Sequence, residues 1–175
     1  MTRLRSSVTV RMTFVPEITG RRHHRGGMNS STRLPIVVGV DGSDPSVEAL
    51  RYGARMAATL GAPLRAIIAW DYPTLMDVHT NPEWKPGTDA ASTLETSIRM
   101  VFATDPPVDM TAVIIAGPPA ASLIDESRNA EMLVLGSRGR GGFGSLVLGS
   151  VSSACVVHAH CPVLVVHRRT ESGGA

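Results

Sequence analysis

From Leu34 onward the chain alternates short apolar runs with longer stretches in which apolar residues recur every three or four positions. The runs fall at residues 34–40, 63–70, 110–115, 131–136 and 162–167. They are continuous rather than alternating with period two, so each predicts a strand covered on both sheet faces. The first helix is predicted after Asp41-Gly42-Ser43, with Ser43 or Asp44 as its cap, Pro45 in its first turn and Gly61 as its stop. Its apolar face is Val47, Leu50, Ala54, Ala57, Ala58 and Leu60. A second helix is expected over 88–103, carrying Leu94, Ile98, Val101 and Phe102 on one side. A third opens at Pro118-Pro119 and turns Leu123 and Ile124 inward, and a fourth spans 150 to about 159.

Strand and helix therefore take turns, which predicts an α/β fold: a doubly wound, parallel, five-stranded sheet with helices on both faces. Such a sheet binds ligands beyond the carboxyl ends of its strands, where the strand order reverses. Asp41 and Gly136 both stand at such ends. The domain is expected over residues 34–167. Residues 168–175 read as a polar tail. Residues 1–33 read as a disordered basic extension, or as a translated upstream stretch with Met28 as the start. Residues 8–15 are apolar enough for a strand, but nothing local supplies a partner. The Pro-rich connection over 71–87, about 17 residues, exceeds the usual short loop and holds Met76, Asp77, His79 and Trp84.

Charge alters this picture only when it is divided. The formal net charge is +2, yet residues 1–27 hold six arginines and one acid, Glu17. The remainder is mildly acidic and lacks the basic footprint of a nucleic-acid binder. No apolar run approaches the roughly 20 residues of a membrane span, and no hydrophobic segment with a cleavage site follows the basic start. Cys155 and Cys161 form no CxxC pair, which suits a reducing compartment, so a cytoplasmic location is expected.

The chemistry concentrates after the fourth strand. Residues 133–153 read LVLGSRGRGGFGSLVLGSVSS: an apolar run, a loop nearly without bulk, then a helix start. Glycine lets a ligand approach the backbone, and a helix N-terminus offers N–H groups to an anion. Ser150 suits the cap position. Arg138 and Arg140 lie in the loop with no carboxylate among them. The loop is expected to wrap phosphates. Gly139 to Gly144 satisfies GxGxxG but follows the wrong strand, with no acid about 20 residues later. A P-loop needs a lysine in its motif, and the only lysine is Lys85.

Other candidates have simpler uses. Asp41 also fits an ordinary turn residue, and Ser43 a cap rather than a nucleophile, since no G-x-S-x-G elbow surrounds it. His158 and His160 lie two apart, off a shared helical face, so capping the last helical turn suits them better than a metal.

The spacing Gly136-x-x-Gly139, nine residues, Gly149-Ser150 resembles the ATP-binding motif of the universal stress protein family. Val37 to Ser43 resembles that family's first strand and turn. Gly117-Pro118 through Gly136 resembles its third helix and fourth strand. Gly149 to Ser152 and His158 to Val163 resemble its last helix and strand. The resemblance implies an adenine nucleotide alpha-hydrolase-like fold with strand order 3-2-1-4-5. It also implies that Asp41 orients adenine beside Gly39 and Val40, with Trp70 in place of a small residue that contacts the base. Gly136, Ser137, Arg138, Gly139, Arg140, Gly141, Gly142, Gly149, Ser150 and the Val151 amide would hold ribose and phosphates. ATP would come with Mg²⁺ or Mn²⁺ bridging its phosphates, and a homodimer would form through the last strand, Val163–Val166.

Function is then expected to be that of a stress-response regulatory protein that binds ATP or another adenine nucleotide. The loop has phosphate donors and no acid for metal-assisted phosphoryl transfer, so hydrolysis is expected to be slow or absent. Two other readings stand beside it: an ATPase or adenylate-forming enzyme with real turnover, and an interaction module whose site is vestigial.

Overall fold

A computed structural model describes residues 11–15, 33–71, 86–107, 109–139 and 147–167. In chain order these form β1 (Arg11–Val15), β2 (Ile36–Gly39), α1 (Asp44–Leu60), β3 (Leu64–Trp70), α2 (Pro86–Phe102) and β4 (Met110–Ala116). There follow α3 (Pro119–Glu126), a 3₁₀ turn (Ser127–Asn129), β5 (Met132–Gly136), α4 (Ser150–His158) and β6 (Val163–Val166). The sheet is parallel throughout, in the order β1-β4-β3-β2-β5-β6. Without β1 this is the order 3-2-1-4-5 expected from the sequence.

β1 is the addition. It lies inside the stretch read as a disordered extension, and it pairs in register with β4, from Arg11 beside Thr111 to Val15 beside Ile115. The apolar run over 8–15 already allowed a strand, but its partner lies about a hundred residues away, so no local pattern names β4 as the element that satisfies its backbone. Residues 1–10 and 16–32, the loop over 72–85, residue 108, residues 140–146 and the tail from 168 lie outside the described residues.

The strands are buried on both faces, as continuous apolar runs require. Ile36, Val37 and Val38 are fully buried. Ile36, Val38 and Val40 join Leu50, Ala57, Leu64 and Leu94 in a layer under α1 and α2. Val37 joins Ile67, Leu123, Leu133, Leu135 and Cys155 in a layer under α3 and α4. α1 is capped as its sequence predicts. The Ser43 side chain accepts from the Ser46 N–H, and Gly61 adopts the left-handed conformation at φ 59°. α2 begins at Pro86, two residues before the predicted start. Burial, and after it the neighbouring Cys161, pushes the Cys155 thiol up from 9.0 to about 11, so it stays protonated and inert near neutrality.

β2 is where the order of the strands reverses. It pairs with β3 through Gly39 beside Ile67, but with β5 only as far as Val38 beside Val134. β5 continues to Gly136, pairing there with Val166 of β6. The carboxyl ends of β2 and β5 therefore part, and a crevice opens between the turns that follow them.

Candidate functional site

The crevice is a cleft of about 380 Å³. Gly39, Val40, Asp41 and Ser46 form one wall; Gly136, Arg138, Gly139 and residues 148–152 form the other. Ile67, Ala69, Leu123 and Leu135 make its inner, apolar surface. Glycine at 39 is a packing requirement, because a Cβ there would lie 2.6 Å from Leu135 Cδ2 and 3.1 Å from Leu123 Cδ1. At Gly136 the start of α1 comes close instead: a Cβ would lie 2.7 Å from the Pro45 carbonyl carbon and 2.8 Å from the Ser46 nitrogen.

The Asp41 turn is tightly organised. Asp41 Oδ1 accepts from the Ser43 N–H at 3.0 Å and from Ser43 Oγ at 2.6 Å. The Asp41 N–H donates to Ser46 Oγ at 3.3 Å, and Ser46 Oγ donates to the Ser43 carbonyl at 2.8 Å. This is the local bonding by which Asp and Ser shape a turn into a helix. The turn also reaches the opposite wall. Ser43 Oγ lies 3.3 Å from the Arg138 carbonyl, and a Cβ on Gly139 would run into Asp41 Oδ2.

The opposite wall is held from beneath. Ser137 is buried; its N–H donates to the Val166 carbonyl at 2.8 Å. Its carbonyl accepts from the Gly149 N–H at 2.8 Å and from Ser152 Oγ at 3.0 Å. These bonds bring the start of α4 back against the end of β5. Gly149 is the cap of α4, at φ −75°, and Ser150 is the first helical residue rather than the cap. No side chain caps this end and no acid stands in its first turn. The first-turn N–H groups of a helix have no intrahelical partner, and the helix dipole favours an anion there. Arg138, exposed at the cleft mouth, adds positive charge.

Most of the residues predicted to line a site thus converge: Gly39, Val40, Asp41, Gly136, Arg138, Gly139, Gly149, Ser150 and Val151 all line the one cleft. Two do not. Ser137 is the staple under the loop, and Trp70 is half-buried and packs with the α1/α2 layer. Successive strand residues point to opposite faces, so Ala69 and Ile67 turn toward the cleft while Trp70 turns away. The small residue beside the site is therefore Ala69. Arg140, Gly141 and Gly142 lie outside the described residues. The sequence reading missed Pro119, Leu123 and Leu148, which chain order keeps apart and only the fold assembles. Among the described residues no group of three His, Cys, Asp or Glu is placed to hold a metal ion, and no helix is long and apolar enough to cross a membrane.

Known proteins share this fold. The sequence profile of the Universal stress protein family matches residues 33–167. Universal stress protein Rv2623 of Mycobacterium tuberculosis is 34% identical over 141 residues, covering 76% of this chain and 45% of its own. A universal stress protein of Mycolicibacterium smegmatis is 33% identical over 144 residues, covering 79% of this chain and 47% of its own. The chain thus spans about half the length of the curated relatives it matches. Among solved structures, universal stress protein UspA from Lactobacillus plantarum superposes with a TM-score of 0.63 at 25% identity, over 78% of this chain and 99% of that one. A universal stress protein crystallised in complex with cAMP superposes with a TM-score of 0.59 at 23% identity, over 79% of this chain and all of the other.

Proposed function

The chain belongs to the universal stress protein family, and from that premise we propose that its cleft binds ATP or another adenine nucleotide in a regulatory role, with slow hydrolysis or none. One observation carries this reading: the Asp41 turn, Gly136, Arg138 and Gly139 at the end of β5, and the start of α4, which no side chain caps, all line a single cleft. The apolar inner surface suits a purine. The α4 N-terminus and Arg138 suit phosphates, and backbone donors of this kind form an anion nest. Asp41 is the one carboxylate among the described lining residues, and it is engaged by Ser43. No described group is therefore placed as a base for phosphoryl transfer. In this reading Mg²⁺ or Mn²⁺ would accompany the phosphates and offset their charge.

The test is calorimetric titration of the purified protein with ATP, AMP and cAMP, joined to a steady-state phosphate-release assay. Saturable binding of ATP with turnover far below the common enzyme median of about 10 per second is expected. Absence of binding to all three, with no nucleotide in native mass spectra, would remove the proposal. Turnover near that median would make the protein an enzyme instead.

The same reading includes a homodimer. β6 pairs with β5 on one side and ends the sheet on the other, so its outer backbone groups offer a template for a second strand. Light scattering at micromolar concentration should give twice the chain mass; a single-chain mass would exclude association through Val163–Val166.

A further inference from the structure

We propose that the Ser43 hydroxyl is a positioning group that couples the two walls of the cleft, an inference that rests on the nucleotide reading for its ligand-bound half. Three bonds meet at this oxygen. It accepts from the Ser46 N–H at 3.4 Å, the long contact of a helix cap. It stands 2.6 Å from Asp41 Oδ1 and 3.3 Å from the Arg138 carbonyl, and both of these are acceptors. A serine hydroxyl has one hydrogen to donate. The two walls therefore share one donor, which in the ligand-free arrangement divides between them and favours the nearer and charged acceptor, the Asp41 carboxylate.

The residues being coupled are 95 positions apart in sequence, and nothing in the cap itself calls for the second contact. The carboxylate also stands close to Gly139, where a built Cβ would lie 2.4 Å from Asp41 Oδ2. An occupant that donates to Asp41, as a purine amino group or a ribose hydroxyl would, supplies the carboxylate with a replacement donor. The Ser43 hydroxyl then rotates toward the Arg138 carbonyl and shortens that contact. The main chain at 137–139 is drawn onto α1, and through the Ser137 carbonyl so is the Gly149 amide at the start of α4. Ligand at the Asp41 end thereby draws residues 137–139 and Gly149 together at the phosphate end.

The experiment compares wild type with Ser43→Gly, Ser43→Asp and Ser43→Thr by amide hydrogen exchange over 137–139 and 147–151, with and without ATP, and by ATP titration. Glycine keeps the cap position at small cost and aspartate caps strongly, but neither has a hydroxyl to donate; threonine retains cap and donor. Without nucleotide, exchange of the Gly149 amide should quicken about twofold in Ser43→Gly and Ser43→Asp, the loss of a hydrogen bond made only part of the time. ATP should bind about five- to tenfold more weakly to Ser43→Gly, and saturating ATP should no longer slow the loop. Ser43→Thr should restore wild-type behaviour. The Asp variant keeps the test decisive should the Gly variant fail to fold. Unchanged loop exchange in both donor-less variants overturns the proposal, as does a Thr variant that fails to rescue. A wild type that binds no ATP would defeat the reading of the cleft. The ligand-free exchange would then still decide whether Ser43 ties the loop.

Discussion

Replacing Gly136 with alanine should lower stability by about 1–3 kcal/mol, and by more if the helix cannot shift, since overpacking of a close contact costs that much. Three atoms of α1's first turn crowd the position: the Pro45 carbonyl carbon, the Ser46 nitrogen and Pro45 Cβ, at 2.7, 2.8 and 2.9 Å from a built Cβ. Two of the three are main-chain atoms, and the third belongs to a ring, so no rotamer change makes room. The helix itself must move, and with it Ser43 and Asp41, which the same turn holds. Melting followed by circular dichroism should fall by roughly 3–10 °C for a domain of this size. An unchanged melting temperature would mean that α1 does not pack against the end of β5 as described.

Replacing Gly149 with alanine should do the reverse, sparing the fold and weakening nucleotide binding tenfold or more, about 1.4 kcal/mol. A Cβ at Gly149 would meet Arg138 Cα at 3.5 Å, Gly139 N at 3.6 Å and Ser137 O at 3.7 Å, ordinary van der Waals contacts. Its φ of −75° suits any residue, and alanine as the cap costs below about 1 kcal/mol relative to glycine. Packing within the chain thus does not demand a glycine at this cap. If phosphate oxygens lie against the α4 amides, a methyl group at the cap stands in their approach. Titration with ATP of wild type, Gly149→Ala and the double variant with Ser150→Ala gives the measurement. Equal affinity in all three, with wild type binding, would move the phosphates away from this helix start. Gly136 and Gly149 belong to one spacing motif, yet they are expected to fail in different ways, one through folding and the other through binding.

That separation could not be read from the spacing alone. A glycine signals only that something comes close or that the backbone is unusual. Whether the neighbour is α1, as at Gly136, or space open to a ligand, as at Gly149, depends on which segments the fold brings there. Trp70 makes the same point from the opposite side. Its place at the end of β3 was correctly read, but an apolar run buried on both faces does not say which alternate residues look toward the site. The packing of Trp70 with the α1/α2 layer leaves Ala69 for the cleft.

Local order was legible where it depends on residues close in sequence. The Ser43 cap, the Gly61 stop and the five uninterrupted apolar strands follow from backbone sterics and from burial on two faces, and the chain states them in one reading. The parallel sheet and its crevice follow from the alternation of those elements. Only the tertiary structure decided that Arg11–Val15 adds a sixth strand beside β4 and that Ser43 touches the Arg138 carbonyl. It alone set Leu123 of α3 beside Leu135 of β5 around one cavity. Each of these joins segments far apart in the chain, and such contacts arise from the mutual fit of elements already formed, which no local pattern of residues encodes.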